Sequence, residues 1–104
     1  MTAMDLGVSQ EELEQFCRRW KIARLAVFGS AAEGRLRADS DIDLLVTFQP
    51  DAEWTMFDHY AMEEELSQMF GREVDLVSVR AVEENPNPIC RRQILDSARQ
   101  LYAA

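Results

Sequence analysis

The stretch "VFGSAAEGRLRADSDIDLLVTF", residues 27–48, joins two apolar runs, one ending on Gly29-Ser30 and one interleaved with Asp41 and Asp43 at its start. The first run, Ile22 to Phe28, reads as a strand stopped by the Gly-Ser pair. The second, Ile42 to Phe48, reads as a strand ended by Pro50, which cannot donate to a ladder. Its apolar residues are continuous rather than alternating, which implies burial on both faces and helices packed on the sheet. Asp41 and Asp43 are two apart, so their side chains leave the same face of that strand. Residues 31–40 are small, polar or charged and suit a short helical turn plus loop.

Outward from this segment the pattern stays regular. Ser9-Gln10-Glu11-Glu12 has the form of a capping box, and Leu13, Phe16, Cys17 and Trp20 follow at helical spacing, predicting a helix from about 10 to 20. A helix from about 55 to 70 takes Met56, Tyr60, Met62, Leu66, Met69 and Phe70 as its apolar set, with Gly71 ending it. Trp54, Met56 and His59, on or near this acidic helix, are expected as partly buried packing residues. Val74 to Val79 reads as a third strand that contains Asp75. "EENPNP" then breaks the chain, and Ile89 to Leu101 is predicted to close it as a helix with Ile94, Leu95, Ala98 and Leu101 inward. This order gives a small α/β (α+β) fold, a mixed β-sheet with helices packed on it.

Size and charge bound the function. At 104 residues the chain is expected to form a single domain, residues 1–104. No apolar run approaches the roughly 20 residues of a membrane span, and no signal peptide is read at the N-terminus, so a cytoplasmic location and no membrane partner are expected. Cys17 and Cys90 lack metal-ligand spacing and are expected as reduced thiols on helices. The net charge is −8, and nine acids but no Lys or Arg fall between Arg37 and Arg72. Such a surface repels a phosphate backbone, so no stable DNA binding is expected.

The carboxylates carry the chemistry. Two ionised carboxylates on one face repel, and protonation or a cation relieves them. Asp39, Asp41 and Asp43 imitate the start of an EF-hand loop, but that loop requires Gly and Glu where Leu44 and Pro50 stand. A phosphatase-type pair would follow its apolar strand, whereas "LLVTF" comes after these acids. A two-metal nucleotidyl-transfer site, with three carboxylates around cations about 3.5–4 Å apart, remains. Asp75, from the next strand, is the candidate third acid, because an unpaired charge inside a strand is costly to bury. The alternative for Asp75 is a salt bridge, for example with Arg24. Gly29 lets the backbone approach a ligand, and the Ser30 hydroxyl with nearby N–H groups offers donors to a phosphate. Asp39 is read as a loop acid, and Arg35 and Arg37 as solvated loop charges.

With these residues assembled, the sequence resembles the nucleotidyltransferases of the DNA polymerase beta superfamily, most closely the minimal nucleotidyltransferases. The signature is "FGSAAEGRLRADSDIDLL" followed by "VDL", and the loop also carries Gly34 and Ser40. The tail "NPNPICRRQILDSARQLY" is similar to that group's C-terminal helix. The resemblance implies a polymerase beta-like palm in which Gly29 and Ser30 hold the triphosphate. It implies that Asp41 and Asp43 bridge two Mg²⁺ ions while Asp75 binds the catalytic one, with ATP as the nucleotide donor. It further implies a HEPN-type helical partner, a toxin on whose tyrosine AMP is placed by this antitoxin. Two alternatives stay open: a non-catalytic binding module that neutralises a partner by contact, and a small-molecule (antibiotic-type) nucleotidyltransferase. A homo-oligomer is compatible with each.

Overall fold

A computed structural model describes residues 7–29, 41–84 and 86–104. Ser30, Gly34, Arg35, Arg37, Asp39 and Ser40 lie outside the described residues, as does the side chain of Cys90. The elements are α1 (Gln10–Arg19), β1 (Ile22–Phe28), β2 (Ile42–Phe48), α2 (Met56–Phe70), β3 (Val74–Ser78), α3 (Val79–Glu83), α4 (Pro88–Ser97) and β4 (Arg99–Ala103).

Local chemistry sets the helix ends. The Ser9 hydroxyl accepts from the Glu12 N–H at 3.1 Å, and α1 carries acids in its first turn and arginines in its last, matching its dipole. At α2 the box is reciprocal: Thr55 and Asp58 each accept from the other's backbone N–H. Gly71 ends α2 at φ 72°, a left-handed conformation that favours glycine.

The four strands run in the order β3-β2-β1-β4. β1 pairs antiparallel with both β2 and β4, while β3 runs parallel to β2 after the α2 crossover. One face of the sheet meets α1 and α2. There Leu13, Phe16 and Cys17 pack with Met62, Leu66 and Phe70 over Ile22, Leu25, Val27, Ile42, Leu44, Val46 and Leu76. A register shift between Ile22 and Arg24 keeps Ile22, Leu25 and Val27 all inward despite their uneven spacing. Each large apolar side chain buried here contributes roughly 1.5–3 kcal/mol. Leu45 is buried although it points to the other face, where Val82 of α3 is buried too. The continuous apolar run in β2 therefore reports cover on both faces, as its sequence predicts.

Three expectations need correction. The C-terminal helix stops at Ser97, and residues 99–103 form edge strand β4 instead. Arg, Gln, Leu and Ala favour helix locally, but the open edge of β1 offers unpaired backbone groups, and pairing buries Leu101 at 5% exposure. Ile94 is half-buried and Leu95 exposed, so that helix has only a weak inward face. The third strand ends at Ser78, whose hydroxyl accepts from the Ala81 N–H at 3.1 Å and starts α3, a helix absent from the sequence reading. Met56 and Tyr60 are 89% and 67% exposed rather than inward; the buried residues of α2 are Met62, Leu66 and Phe70. Among the described residues, no helix is long and apolar enough to cross a membrane.

Candidate active site

The second residue of β2 is the centre of the site. Asp43 lies opposite Phe28, the last residue of β1, and beside Asp75 in the parallel register with β3. Asp41 precedes β2 and shares the face of Asp43. Their neighbours Ile42, Leu44 and Leu76 point the opposite way into the core. The same alternation that seals the core thus sets three acids on the other face.

Gly29 joins this group from the β1 end. Its φ is 73°, and a Cβ built there would sit 2.8 Å from Asp43 Oδ2. Glycine is therefore required twice at this position, for its conformation and for the approach of a carboxylate. The Gly and the DxD of the opening stretch are in contact across the strand pair.

Asp43 is half-buried, whereas Asp41 and Asp75 are exposed. Burial pushes the Asp43 carboxyl above its ordinary value, and the charges of Asp75 and then Asp41 push it further. Because Asp75 is exposed, the burial cost argued from sequence does not apply to it; its register beside Asp43 is the stronger signal. The salt bridge to Arg24 is excluded, since β2 separates their strands and Arg24 pairs near the far end of β1 from Phe28. Carboxylate oxygens are the donors that hard divalent cations take, and mutual repulsion favours such an ion. Among the described residues, however, no three acidic, imidazole or thiol groups already converge on one point. The donor chemistry fits Mg²⁺; a closed ligand set is not formed.

Two clefts flank the acids. One of about 460 Å³ is lined by Asp41, Asp75, Tyr60, Glu63, Glu64, Ser67, Glu73 and Val74, and is strongly acidic. The other, of about 650 Å³, lies against Phe28 and Gly29 and is walled by α4 with Arg99 as its cation. Cys17 takes no part: it is buried, and burial, with Glu14 adding to it, pushes its thiol up to about 12.

Three residues have a part in this region that the sequence reading did not assign them, His59 being expected only as a packing residue. Ser67 Oγ accepts from the Val74 N–H at 3.0 Å, Glu63 Oε2 accepts from the Leu76 N–H at 2.8 Å, and His59 Nε2 meets the Leu76 carbonyl at 2.7 Å. Their four-residue spacing is the signal that marks one helix face. Trp54 is half-buried as expected, its Nε1 donating to the Trp20 carbonyl at 2.9 Å.

The fold and the sequence have known counterparts. A solved structure provisionally described as a minimal nucleotidyltransferase is 37% identical, with a TM-score of 0.72 over 97% of each chain. A toxin–antitoxin complex with AMP-PNP shares the fold, at TM-score 0.71 and 20% identity over 93% of this chain and 75% of that one. The protein adenylyltransferase MntA of Thermococcus cleftensis is 37% identical over 72 residues, 69% of this chain and 68% of the relative. Residues 10–101 match the family model of the nucleotidyltransferase domain, and the chain belongs to that family.

Proposed function

We propose that this nucleotidyltransferase transfers AMP from ATP to a protein hydroxyl, a tyrosine of a HEPN-type helical toxin, and so acts as its antitoxin. The observation that carries the reading is the register of Asp43 beside Asp75, with Asp41 on the same face and Gly29 against Asp43. In this reading Asp41, Asp43 and Asp75 hold two Mg²⁺ ions. When bound, these ions lower the pKa of the attacking hydroxyl and neutralise the pyrophosphate that leaves.

The chain's own residues divide the remaining work. The first cleft is acidic throughout, whereas the one beside Gly29 balances Asp96 with Arg99, so the phosphates lie on the Gly29 side. Adenine as the base is supported by the adenylyltransferase name of the Thermococcus relative and by the AMP-PNP of the structural neighbour. A macromolecular acceptor is supported by the first turns of α2. Met56 and Phe57 are 89% and 87% exposed there, beside Tyr60, which lines the acidic cleft with Asp41 and Asp75. Clustered apolar exposure of this kind marks an interaction surface. A HEPN toxin as acceptor is supported by a Shewanella oneidensis complex described as a tri-AMPylated HEPN toxin with its MNT antitoxin, which shares the fold at TM-score 0.57; the tyrosine is what the family resemblance implies.

The test is incubation of the chain with ATP labelled at the α-phosphate, Mg²⁺ and a HEPN partner. Label is expected on a partner tyrosine and is expected to vanish in an Asp41→Asn, Asp43→Asn double variant. Label that survives in the double variant overturns the metal-dependent reading; a partner neutralised without any label overturns transfer itself.

A further inference from the structure

Among the described residues β3 is an edge strand, and no strand satisfies its outer edge. The groups that face it include the N–H and C=O of Val74 and of Leu76, because successive residues of a strand point their peptide groups to opposite edges. α2 meets three of these. Ser67 Oγ and Glu63 Oε2 accept from the two N–H groups at 3.0 and 2.8 Å, and His59 Nε2 lies 2.7 Å from the Leu76 oxygen, so that nitrogen donates. Ser67 also donates its hydroxyl proton to the Glu63 carbonyl at 2.7 Å, which fixes the direction of its bond to Val74.

The three side chains recur every four residues, and between the two residues they hold lies Asp75. By the same alternation, the peptide groups of Asp75 itself face β2. Among the described residues, no hydrogen bond or ion pair reaches its carboxylate, whose exposed side chain meets the other acids only through their field. The backbone on either side of it is thus what sets where that carboxylate stands.

We propose that His59, Glu63 and Ser67 are positioning residues for Asp75: this ladder from α2 clamps β3 at the spacing from β2 that lets Asp75 share an ion with Asp41 and Asp43. The proposal rests on the reading of Asp75 as a metal ligand. An edge cap that only blocked aggregation would need polar groups anywhere along the strand. Here they fall on the residues flanking the acid, and their loss propagates to one carboxylate.

The test measures Mn²⁺ binding to the full chain by the loss of the free-ion paramagnetic resonance signal, with amide exchange followed at Val74 and Leu76. Glu63→Gln retains an acceptor oxygen without the charge, and Ser67→Thr retains the hydroxyl; both are expected to bind within about threefold of the wild type. Glu63→Ala and Ser67→Ala are expected to weaken Mn²⁺ binding about 10- to 100-fold, the range for groups that orient a ligand, with faster exchange at both amides. Should Glu63→Ala fail to fold, Ser67→Ala, which deletes a single oxygen, decides alone. Faster exchange with unchanged Mn²⁺ affinity overturns the proposal, as does equal loss in Glu63→Gln and Glu63→Ala. Asp75→Asn separates the two levels: if it binds Mn²⁺ like the wild type, the ligand reading falls and the proposal with it. If it loses binding while the ladder variants do not, only the proposal falls.

Discussion

Leu44 and Leu76 are neighbours in the parallel register of β2 and β3, and so are Asp43 and Asp75, one residue earlier. The leucines are 0% and 3% exposed, packed under α1 and α2. The aspartates, on the other face, repel one another. One step along the same two strands separates a stabilising pair from a destabilising one. The sheet thus supplies a rigid frame on one face for a charge arrangement that would not hold itself together on the other.

The largest expected effect tests the acid face. Asp43→Asn removes a charge that the proposed ions require. A loss of several kcal/mol of transition-state stabilisation is expected, which at about 1.4 kcal/mol per decade amounts to roughly a thousandfold in kcat. The fold should survive intact, checked by circular dichroism. A variant with near-normal transfer would break the division of labour between the faces.

On the core face the sign reverses. Leu44→Ala deletes a fully buried side chain and is expected to cost about 2–5 kcal/mol of stability, read from the urea midpoint. Divalent-ion affinity of the molecules that remain folded should be unchanged. Coupling of the two losses would show that the faces are less independent than the geometry indicates.

Gly29 touches both sides of the contrast, since it ends a core strand and packs on an acid. Gly29→Ala forces an L-residue to φ 73° and places a methyl 2.8 Å from Asp43 Oδ2. The backbone alone should cost about 1–2 kcal/mol. In an Asp43→Ala background the contact is gone, so the same substitution should cost only that backbone part. Thermal unfolding of the four variants measures the difference.

How much of this was legible in the sequence follows from where each signal lies. β1, β2, α1 and α2 are written in local periodicity and caps, and Gly29, Asp41 and Asp43 in spacing along one segment. Asp75 is legible as an acid inside an apolar run, although the reason offered, burial, is not the one the structure supports. β4 is not legible because Leu101 and Tyr102 suit a helix equally well, and only the open edge of β1 decides. The ladder from α2 is hidden for a related reason: Glu63 belongs to a run of three glutamates that reads as a solvated face. Its partner is a backbone N–H, and backbone leaves no mark in the sequence.

The smallest effect is also the most specific to the acid face. Asp43 has a carboxyl raised above its ordinary value by burial and by Asp75 and Asp41. A carboxyl raised on folding stabilises the fold while it is protonated in both states, and that contribution is lost as pH rises through the folded value. Asp43→Asn keeps the shape without the titration, so the two proteins should unfold at similar temperatures below about pH 3.9, the ordinary aspartate value. Above the raised value the variant should be the more stable, by a small margin because solvent screens a partly exposed carboxylate. Saturating Mg²⁺ should close and then invert the gap, because an ion bound a hundredfold above its dissociation constant adds about 2.7 kcal/mol to the wild type alone. A gap that ignored Mg²⁺ would mean that the repulsion between these acids is relieved by something other than a cation.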